Sequence, residues 1–122
     1  MYSSSIVLFH SDSSLAHFLM ASLRNSFRSI RVVQSMDDLR ATVASSHAGV
    51  VILDMEVASL SEVEHLTNDF PGLHIVCIHR LADEEMWTAA LNAGAEDVCS
   101  STSPGSILAA VRRHVIEHPT AA

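Results

Sequence analysis

The chain has 122 residues, of which 48% are hydrophobic, and its 14 acidic residues outnumber seven arginines to give a formal net charge of -7 with no lysine. This length and apolar content predict one domain over residues 1–122, with a core from about residue 6 to residue 116. A nucleic-acid surface needs clustered cations, and Arg112-Arg113 is the only close pair. No apolar run approaches the roughly 20 residues of a membrane helix. We therefore expect a cytoplasmic protein that binds neither nucleic acids nor membranes.

The hydrophobic pattern alternates five times between short apolar runs and stretches with helical spacing. The first run is continuous, as in a parallel strand that is buried on both faces, and the second is more polar, which suits a sheet edge. The predicted strands are Ile6–Phe9, Ile30–Val33, Val50–Leu53, His74–Ile78 and the residues near Asp97–Ser100.

The predicted helices follow these strands in turn. Apolar stripes at helical spacing define four of them: Leu15, Phe18, Leu19, Leu23 and Phe27 for helix one; Leu39 and Val43 for helix two; Leu60, Val63, Leu66 and Phe70 for helix three; and Ile107, Leu108, Val111 and Val115 for helix five. Helix four is predicted from about Asp83 to Ala93, ending at Gly94 as its C-terminal cap.

Start and stop signals agree with these helices. The polar group Ser11–Ser14 offers an N-cap for helix one, and Ser35 with Asp38 resembles a capping box for helix two. Pro71-Gly72 stops helix three, and Ser103-Pro104 opens helix five.

Five strand-helix units predict a doubly wound α/β fold with a parallel sheet, because right-handed crossovers place helices on both faces. Functional groups of such sheets collect where the strands end at their carboxyl edge. The residues predicted there are His10, Ser11 and Asp12, then Asp54 and Met55, then His79 and Arg80, and finally Ser100, Ser101 and Thr102. Cys77 and Cys99 lie inside apolar segments and are predicted to be reduced and buried.

From about residue 6 to residue 115 the chain resembles the receiver domains of two-component response regulators. Leu53-Asp54-Met55 fits the phosphoacceptor strand of that family, and the segment from Leu91 to Asp97 fits the end of its fourth helix and the entry to its fifth strand. The resemblance implies a flavodoxin-like fold with strand order 2-1-3-4-5 and five helices. It also implies that Asp54 occupies the position that accepts a phosphoryl group from a histidine kinase.

The other positions of the family's active site differ in this chain. The acidic pair that holds Mg²⁺ after strand one is replaced by His10 and Ser11, with Asp12 one place later. His79 stands at the hydroxyl residue that ends strand four, and the lysine after strand five is Ser101. Only Asp12 and Asp54 then remain as carboxylate ligands, which predicts a weak Mg²⁺ site.

The missing cations matter for phosphorylation. A phosphate anion brought about 4 Å from the Asp54 carboxylate costs on the order of 4 kcal/mol per charge pair at an effective dielectric constant near 20. The family's switch is affected too, since the aromatic residue in its fifth strand corresponds to Val98. We therefore interpret the chain as a regulatory protein-interaction module, not an enzyme, that works without the standard Mg²⁺-dependent phosphorylation switch.

Three alternatives stay open. Asp54 can be a genuine phosphoryl acceptor, with Asp12 helping to hold the metal. His10, Asp54 and His79 can bind a transition metal, the competing interpretation being two histidines that are hydrogen-bonded to Asp54 or Asp12. The chain can also be an unrelated enzyme of the same fold, although no Gly-rich loop follows strand one. A separate hypothesis is that protonated His79 partly replaces the missing lysine.

The resemblance also implies a partner-binding face on helix four, strand five and helix five, represented here by Trp87, Val98 and Arg112. The partner would be a histidine kinase, an output protein or a second copy of the chain in a homodimer. Trp87 also has helical spacing with Ala90 and Leu91, which predicts a buried or half-buried side chain.

Overall fold

A computed structural model describes residues 2–117, with side chains for residues 5–113. The strands are β1 (Tyr2–Phe9), β2 (Phe27–Val33), β3 (Val50–Asp54), β4 (His74–His79) and β5 (Asp97–Ser100). The helices are α1 (Ser13–Leu23), α2 (Met36–Ser46), α3 (Leu60–Asp69), α4 (Glu84–Ala93) and α5 (Pro104–Glu117). The strands pair in parallel in the order β2-β1-β3-β4-β5, which confirms the predicted fold and the edge position of β2.

Two apolar layers enclose the sheet because successive side chains of a strand point to opposite faces. On one face, Val51 and Leu53 of β3 belong to the cluster that α2, α3 and α4 cover. On the other, Val50 and Ile52 of the same strand belong to the cluster that α1 and α5 cover. The central strands are therefore buried on both sides, as their continuous apolar sequences predict.

The end of α1 differs from the prediction. We expected Phe27 on the apolar stripe of this helix, but α1 ends at Leu23 and Phe27 is the first residue of β2. Phe27 pairs with Tyr2 in the sheet register and is only 1% exposed. The prediction that Phe27 lies in the helix was therefore wrong. Pairing and burial at the edge of the sheet, which are tertiary contacts, give this residue a strand conformation.

Several residues of the predicted stripes lie at the surface. Leu15 and Phe18 of α1 are 41% and 61% exposed, and Leu60 at the start of α3 is 37% exposed. The buried face of α1 consists of Leu19 and Leu23 from the predicted stripe, together with Ala16. Helical spacing thus identified the helix but gave too wide an apolar stripe.

The helix caps follow the sequence signals closely. Ser35 accepts a hydrogen bond from Asp38 N–H at the start of α2, and Asp83 accepts one from Met86 N–H at the start of α4. Gly94 ends α4 with φ = 116°, a left-handed conformation that glycine adopts without steric cost. A reciprocal capping box between Ser59 and Glu62, which the sequence analysis did not single out, begins α3.

The two cysteines lie on opposite faces of the sheet, each as a free, buried thiol. Burial raises the pKa of Cys77 to about 12 and that of Cys99 to about 11.

Val115, which the sequence places on the buried stripe of helix five, lies outside the residues whose side chains are described. Within residues 2–117, no helix combines the length and apolar character needed to cross a membrane.

Candidate functional site

Four loops follow the carboxyl ends of β1, β3, β4 and β5 and define one edge of the sheet. They comprise residues 10–12, 55–59, 80–83 and 101–103. The switch point lies between β1 and β3, since the chain proceeds from β1 outward to β2 and later returns to β3 on the other side. Asp54 ends β3 beside this point.

The carboxylate of Asp54 is fully buried, with 0% exposure, and joins two loops. Its Oδ2 accepts a hydrogen bond from Ser11 N–H at 2.8 Å, and its Oδ1 accepts one from Glu56 N–H at 2.9 Å. The Asp54 main-chain carbonyl also accepts from Ala58 N–H at 3.0 Å. The residue therefore fixes the β1–α1 loop relative to the β3–α3 loop.

These contacts decide the ionisation of Asp54. Burial raises the pKa of its carboxyl, but hydrogen bonds from the side chain and backbone of Ser11 and from the backbone of Glu56 act in the opposite direction. His10 adds a smaller electrostatic contribution, and the net result is a pKa below the ordinary value of 3.8. Asp54 is therefore an ionised carboxylate at neutral pH.

His10 lies against Asp54, as the sequence predicts. Its Nδ1 is 3.6 Å from Asp54 Oδ2 and accepts a hydrogen bond from Asp12 N–H at 3.0 Å. An Nδ1 that accepts from a backbone N–H leaves the ring proton on Nε2. That Nε2 atom is buried and has no hydrogen-bond partner in the described part of the protein.

Asp12, the predicted magnesium ligand, has a structural contact with the start of α1. Its Oδ1 accepts hydrogen bonds from Ser14 N–H at 2.9 Å and Leu15 N–H at 3.2 Å, so Asp12 is the N-cap of α1. Across residues 5–113, no three His, Cys, Asp or Glu side chains are grouped so as to hold a metal ion. Asp12 Oδ1 is thus already engaged as a cap acceptor, and the described residues give no support to the transition-metal alternative at His10, Asp54 and His79.

His79 and Ser101 come from the other two strand ends. His79 Nδ1 accepts a hydrogen bond from Leu81 N–H at 2.9 Å, which again leaves the ring proton on Nε2. To act as a cation, His79 would have to lose that bond. Ser101 N–H donates to the carbonyl of His79 at 3.1 Å, while the buried Ser101 hydroxyl has no hydrogen-bond partner among the described residues.

Arg80 is the only arginine in the four loops, and it is already paired. Its Nε donates to Glu56 Oε1 at 2.7 Å, and the Arg80 side chain remains 70% exposed. Glu56 is not among the predicted site residues, although a residue two places after an aspartate commonly donates its N–H to that side chain. The one fixed cation at this edge is thus neutralised by a neighbouring carboxylate.

The predicted partner face retains exposed groups. Trp87 is 47% exposed, Val98 packs partly against the cluster on the α2, α3 and α4 face, and Arg112 is exposed. Arg113 donates to Asp97 at 2.8 Å on the same side of the molecule. Trp87 is therefore exposed, whereas its helical spacing predicts a buried or half-buried side chain.

Neither the family models nor the curated proteins include a match to this sequence. Solved structures match it strongly over nearly the whole chain. A response regulator from Thermotoga maritima has a TM-score of 0.85 at 13% identity, covering 93% of this chain and 98% of its own. The signal receiver domain of a DNA-binding response regulator from Colwellia psychrerythraea has a TM-score of 0.82 at 15% identity, covering 94% and 99%. An orphan response regulator of H. pylori has a TM-score of 0.81 at 17% identity, covering 94% and 99%.

The chain has the receiver fold. Because these identities are low, the likeness concerns the backbone and not the chemistry of the site. The receiver fold brings Asp54, His10 and Ser11 into contact at one sheet edge. It leaves Asp12 in a helix cap and His79 bonded within its own loop.

Proposed function

We propose that this protein is a regulatory protein-interaction module of two-component signalling that works without the standard Mg²⁺-dependent phosphorylation switch. The observation that carries the proposal is the position of Asp54. Its two carboxylate oxygens are fully buried and accept backbone N–H groups from both adjoining loops. A carboxylate bonded in this way is a structural tie between loops.

The charges around Asp54 also support this function. Phosphoryl transfer depends on positioning and on electrostatic stabilisation of the transferred group. The chain has no lysine, Ser101 offers only a hydroxyl, and Arg80 is engaged by Glu56. Nothing fixed in the described loops offsets the second negative charge that a phosphoryl group would bring near Asp54.

The proposed module would act through the face formed by Trp87, Val98 and Arg112. Trp87 presents an aromatic surface and Arg112 an exposed cation, which are residue types enriched at protein interfaces. The proposed partners are a histidine kinase, an output protein or a second copy of the chain. The acidic net charge argues against nucleic acids as a partner, and we propose a cytoplasmic location.

A second candidate function is phosphoryl acceptance at Asp54. It is favoured by the lowered pKa of Asp54, because the ionised carboxylate is the nucleophilic form. In that case Asp54 would have to exchange its bonds to Ser11 and Glu56 for a phosphoryl group.

The experiment that separates the two functions is intact-mass measurement after incubation with a small phosphoryl donor and Mg²⁺. We expect no added mass in the wild-type protein. An added phosphoryl mass that disappears in Asp54→Asn would establish the second candidate instead. Because a phosphoryl group that hydrolyses quickly escapes the mass measurement, beryllofluoride, a stable phosphoryl analogue, is titrated as well; one of the neighbouring structures is a BeF3-activated receiver domain. Saturable spectral changes that require Asp54 would contradict the proposed function.

A further inference from the structure

A groove opens beside the site edge, between the start of α3 and the start of α4. Its volume is about 380 Å³, and its lining residues are Leu60, His79, Leu81, Asp83, Glu85, Met86 and Ala89. The groove lies on the α2, α3 and α4 side of the sheet, because Met86 packs against that cluster. Its lining residues do not include Trp87, Val98 or Arg112.

The groove exposes apolar surface. Leu81 is 75% exposed, the highest value among the large apolar side chains described, and Leu60 is 37% exposed. Met86 lines the same groove and is partly buried against the core cluster, with a flexible side chain that adapts to different shapes. Single exposed leucines are ordinary, but two around a concave apolar surface are typical of a binding groove.

The rim of the groove carries negative charge. Asp83 and Glu85 line it, and Glu84 stands between them in the sequence. Among residues 5–113, none of these three carboxylates takes part in an ion pair, and Arg80 nearby is bonded to Glu56. The positive end of α4 favours acidic residues here but leaves their charge facing solvent.

His79 adds a polar group to the same wall. Its Nδ1 is occupied by Leu81 N–H, so its Nε2–H is available as a donor. The groove therefore combines an apolar surface, an acidic rim and one hydrogen-bond donor. This combination is complementary to a segment with apolar anchors and cationic side chains.

We propose that this groove binds a basic, amphipathic segment of a partner protein. Its apolar side chains would contact Leu60 and Leu81, and its arginines or lysines would face Asp83 and Glu85. The inference rests on the proposed function, since it names a surface and a partner chemistry for the interaction module. A second copy of the chain is a poor occupant of this groove, because it has no lysine and only seven arginines against 14 acidic residues to face the acidic rim.

The test uses the 122-residue chain and a synthetic, fluorescently labelled peptide of about four helical turns. Leucines placed at positions i, i+3, i+4 and i+7 form one face, and arginines occupy the other positions. The control peptide keeps the leucines and replaces every arginine with glutamate. Binding is measured by fluorescence anisotropy at low and at physiological salt.

We expect the arginine peptide to bind, and we expect the dissociation constant of the glutamate peptide to be at least roughly tenfold higher. Leu81→Ser should weaken binding of the arginine peptide by a similar factor. The matched control is Phe18→Ser, since Phe18 is 61% exposed on α1, a helix of the opposite sheet face. That control should bind as the wild type does, within about twofold.

The rim is tested by the double variant Asp83→Asn with Glu85→Gln. Asparagine preserves the N-cap that Asp83 provides to α4, so the variant removes charge without removing the cap. It should weaken binding, and the loss should be larger at low salt because surface charges are screened at high salt. Glu64→Gln, on the exposed surface of α3, is the charge control and should have no effect.

Equal binding of both peptides, or undiminished binding to Leu81→Ser, would overturn the groove proposal. A peptide that binds Phe18→Ser as weakly as Leu81→Ser would overturn it as well. These outcomes are independent of the phosphorylation measurement. If the peptide does not bind and Asp54 is not phosphorylated, the groove proposal alone is overturned. If Asp54 is phosphorylated and the peptide still binds, only the proposed phosphorylation-independent function is overturned.

Discussion

At the scale of single residues, Asp54 shows how one side chain can be interpreted in two ways. Its position at the end of β3 is that of a phosphoryl acceptor, yet its contacts are those of a buried hydrogen-bond acceptor. The position follows from the fold, whereas the hydrogen bonds to the carboxylate come from the backbone N–H groups of Ser11 and Glu56. The chemistry of the site therefore depends on these contacts and not on the fold alone.

Replacing Asp54 with alanine should destabilise the protein by about 1–3 kcal/mol at pH 7, because Ser11 N–H and Glu56 N–H lose their acceptor in a buried position. The folded pKa of Asp54 is below its ordinary value of 3.8, so its stabilising contribution is complete above that value. It is lost as pH falls through the folded pKa. Urea unfolding at several pH values should therefore show the difference from wild type shrinking below about pH 3.8.

The control for this series is Glu64→Ala, which removes an exposed carboxylate of α3 and should change stability by less than about 0.5 kcal/mol. A difference between wild type and Asp54→Ala that stays constant, or grows, in acid would contradict the role assigned to the ionised carboxylate.

At the scale of secondary structure, α4 shows how local signals position one wall of a surface groove. Asp83 begins the helix and Gly94 ends it, so both bounds can be predicted from the sequence. The same Asp83 contributes to the acidic rim of the groove. Beyond Gly94, the backbone N–H of Ala95 bonds to the Ala90 carbonyl and that of Glu96 to the Ile75 carbonyl, which directs the chain into β5.

Gly94→Ala should cost about 2 kcal/mol or more in stability, because alanine is strained at φ = 116° and its Cβ would lie 2.6 Å from Thr67 Oγ1. Gly72→Ala is the matched variant: φ there is 89°, but no atom lies within 4 Å of an added Cβ. Thermal unfolding should show the larger loss for Gly94→Ala. Equal losses would mean that Thr67 moves away freely and that only the backbone strain counts.

At the scale of the whole molecule, the sheet divides the core into two clusters. The cluster on the α2, α3 and α4 side includes Ile75, and the cluster on the α1 and α5 side includes Ile107. Both residues are 0% exposed. Since no side chain of one cluster belongs to the other, changes in packing should remain local to each face.

Ile75→Val and Ile107→Val should each destabilise the protein by about 0.5–1.5 kcal/mol, because each removes one buried methylene group. Their effects in the double variant should add within about 0.5 kcal/mol, as expected for sites without shared contacts. Urea unfolding of the two single variants and the double variant measures this directly. A larger coupling energy would show that the sheet transmits packing changes between its faces.

Much of the fold could be predicted from the sequence, because its signals are local. Continuous apolar runs gave the three central strands, and the caps at Ser35, Asp83 and Gly94 fixed helix ends. The error at Phe27 has a tertiary cause. Helical spacing in the sequence continues to that residue, but Phe27 pairs with β1 at the edge of the sheet. The exposure of Leu15 and Phe18 has a similar cause, because the width of the buried face depends on the neighbouring elements.

The order of strands and helices, the position of Asp54 at a strand end and the absence of lysine can all be read from the sequence. How those residues meet depends on the folded structure. It placed His10 and Ser11 against Asp54, assigned Asp12 to a helix cap, joined Arg80 to Glu56 and opened the groove beside Leu81. The physical reason is that helices and strands depend on near neighbours in the chain, whereas hydrogen bonds, ion pairs and grooves depend on distances between residues that folding brings together.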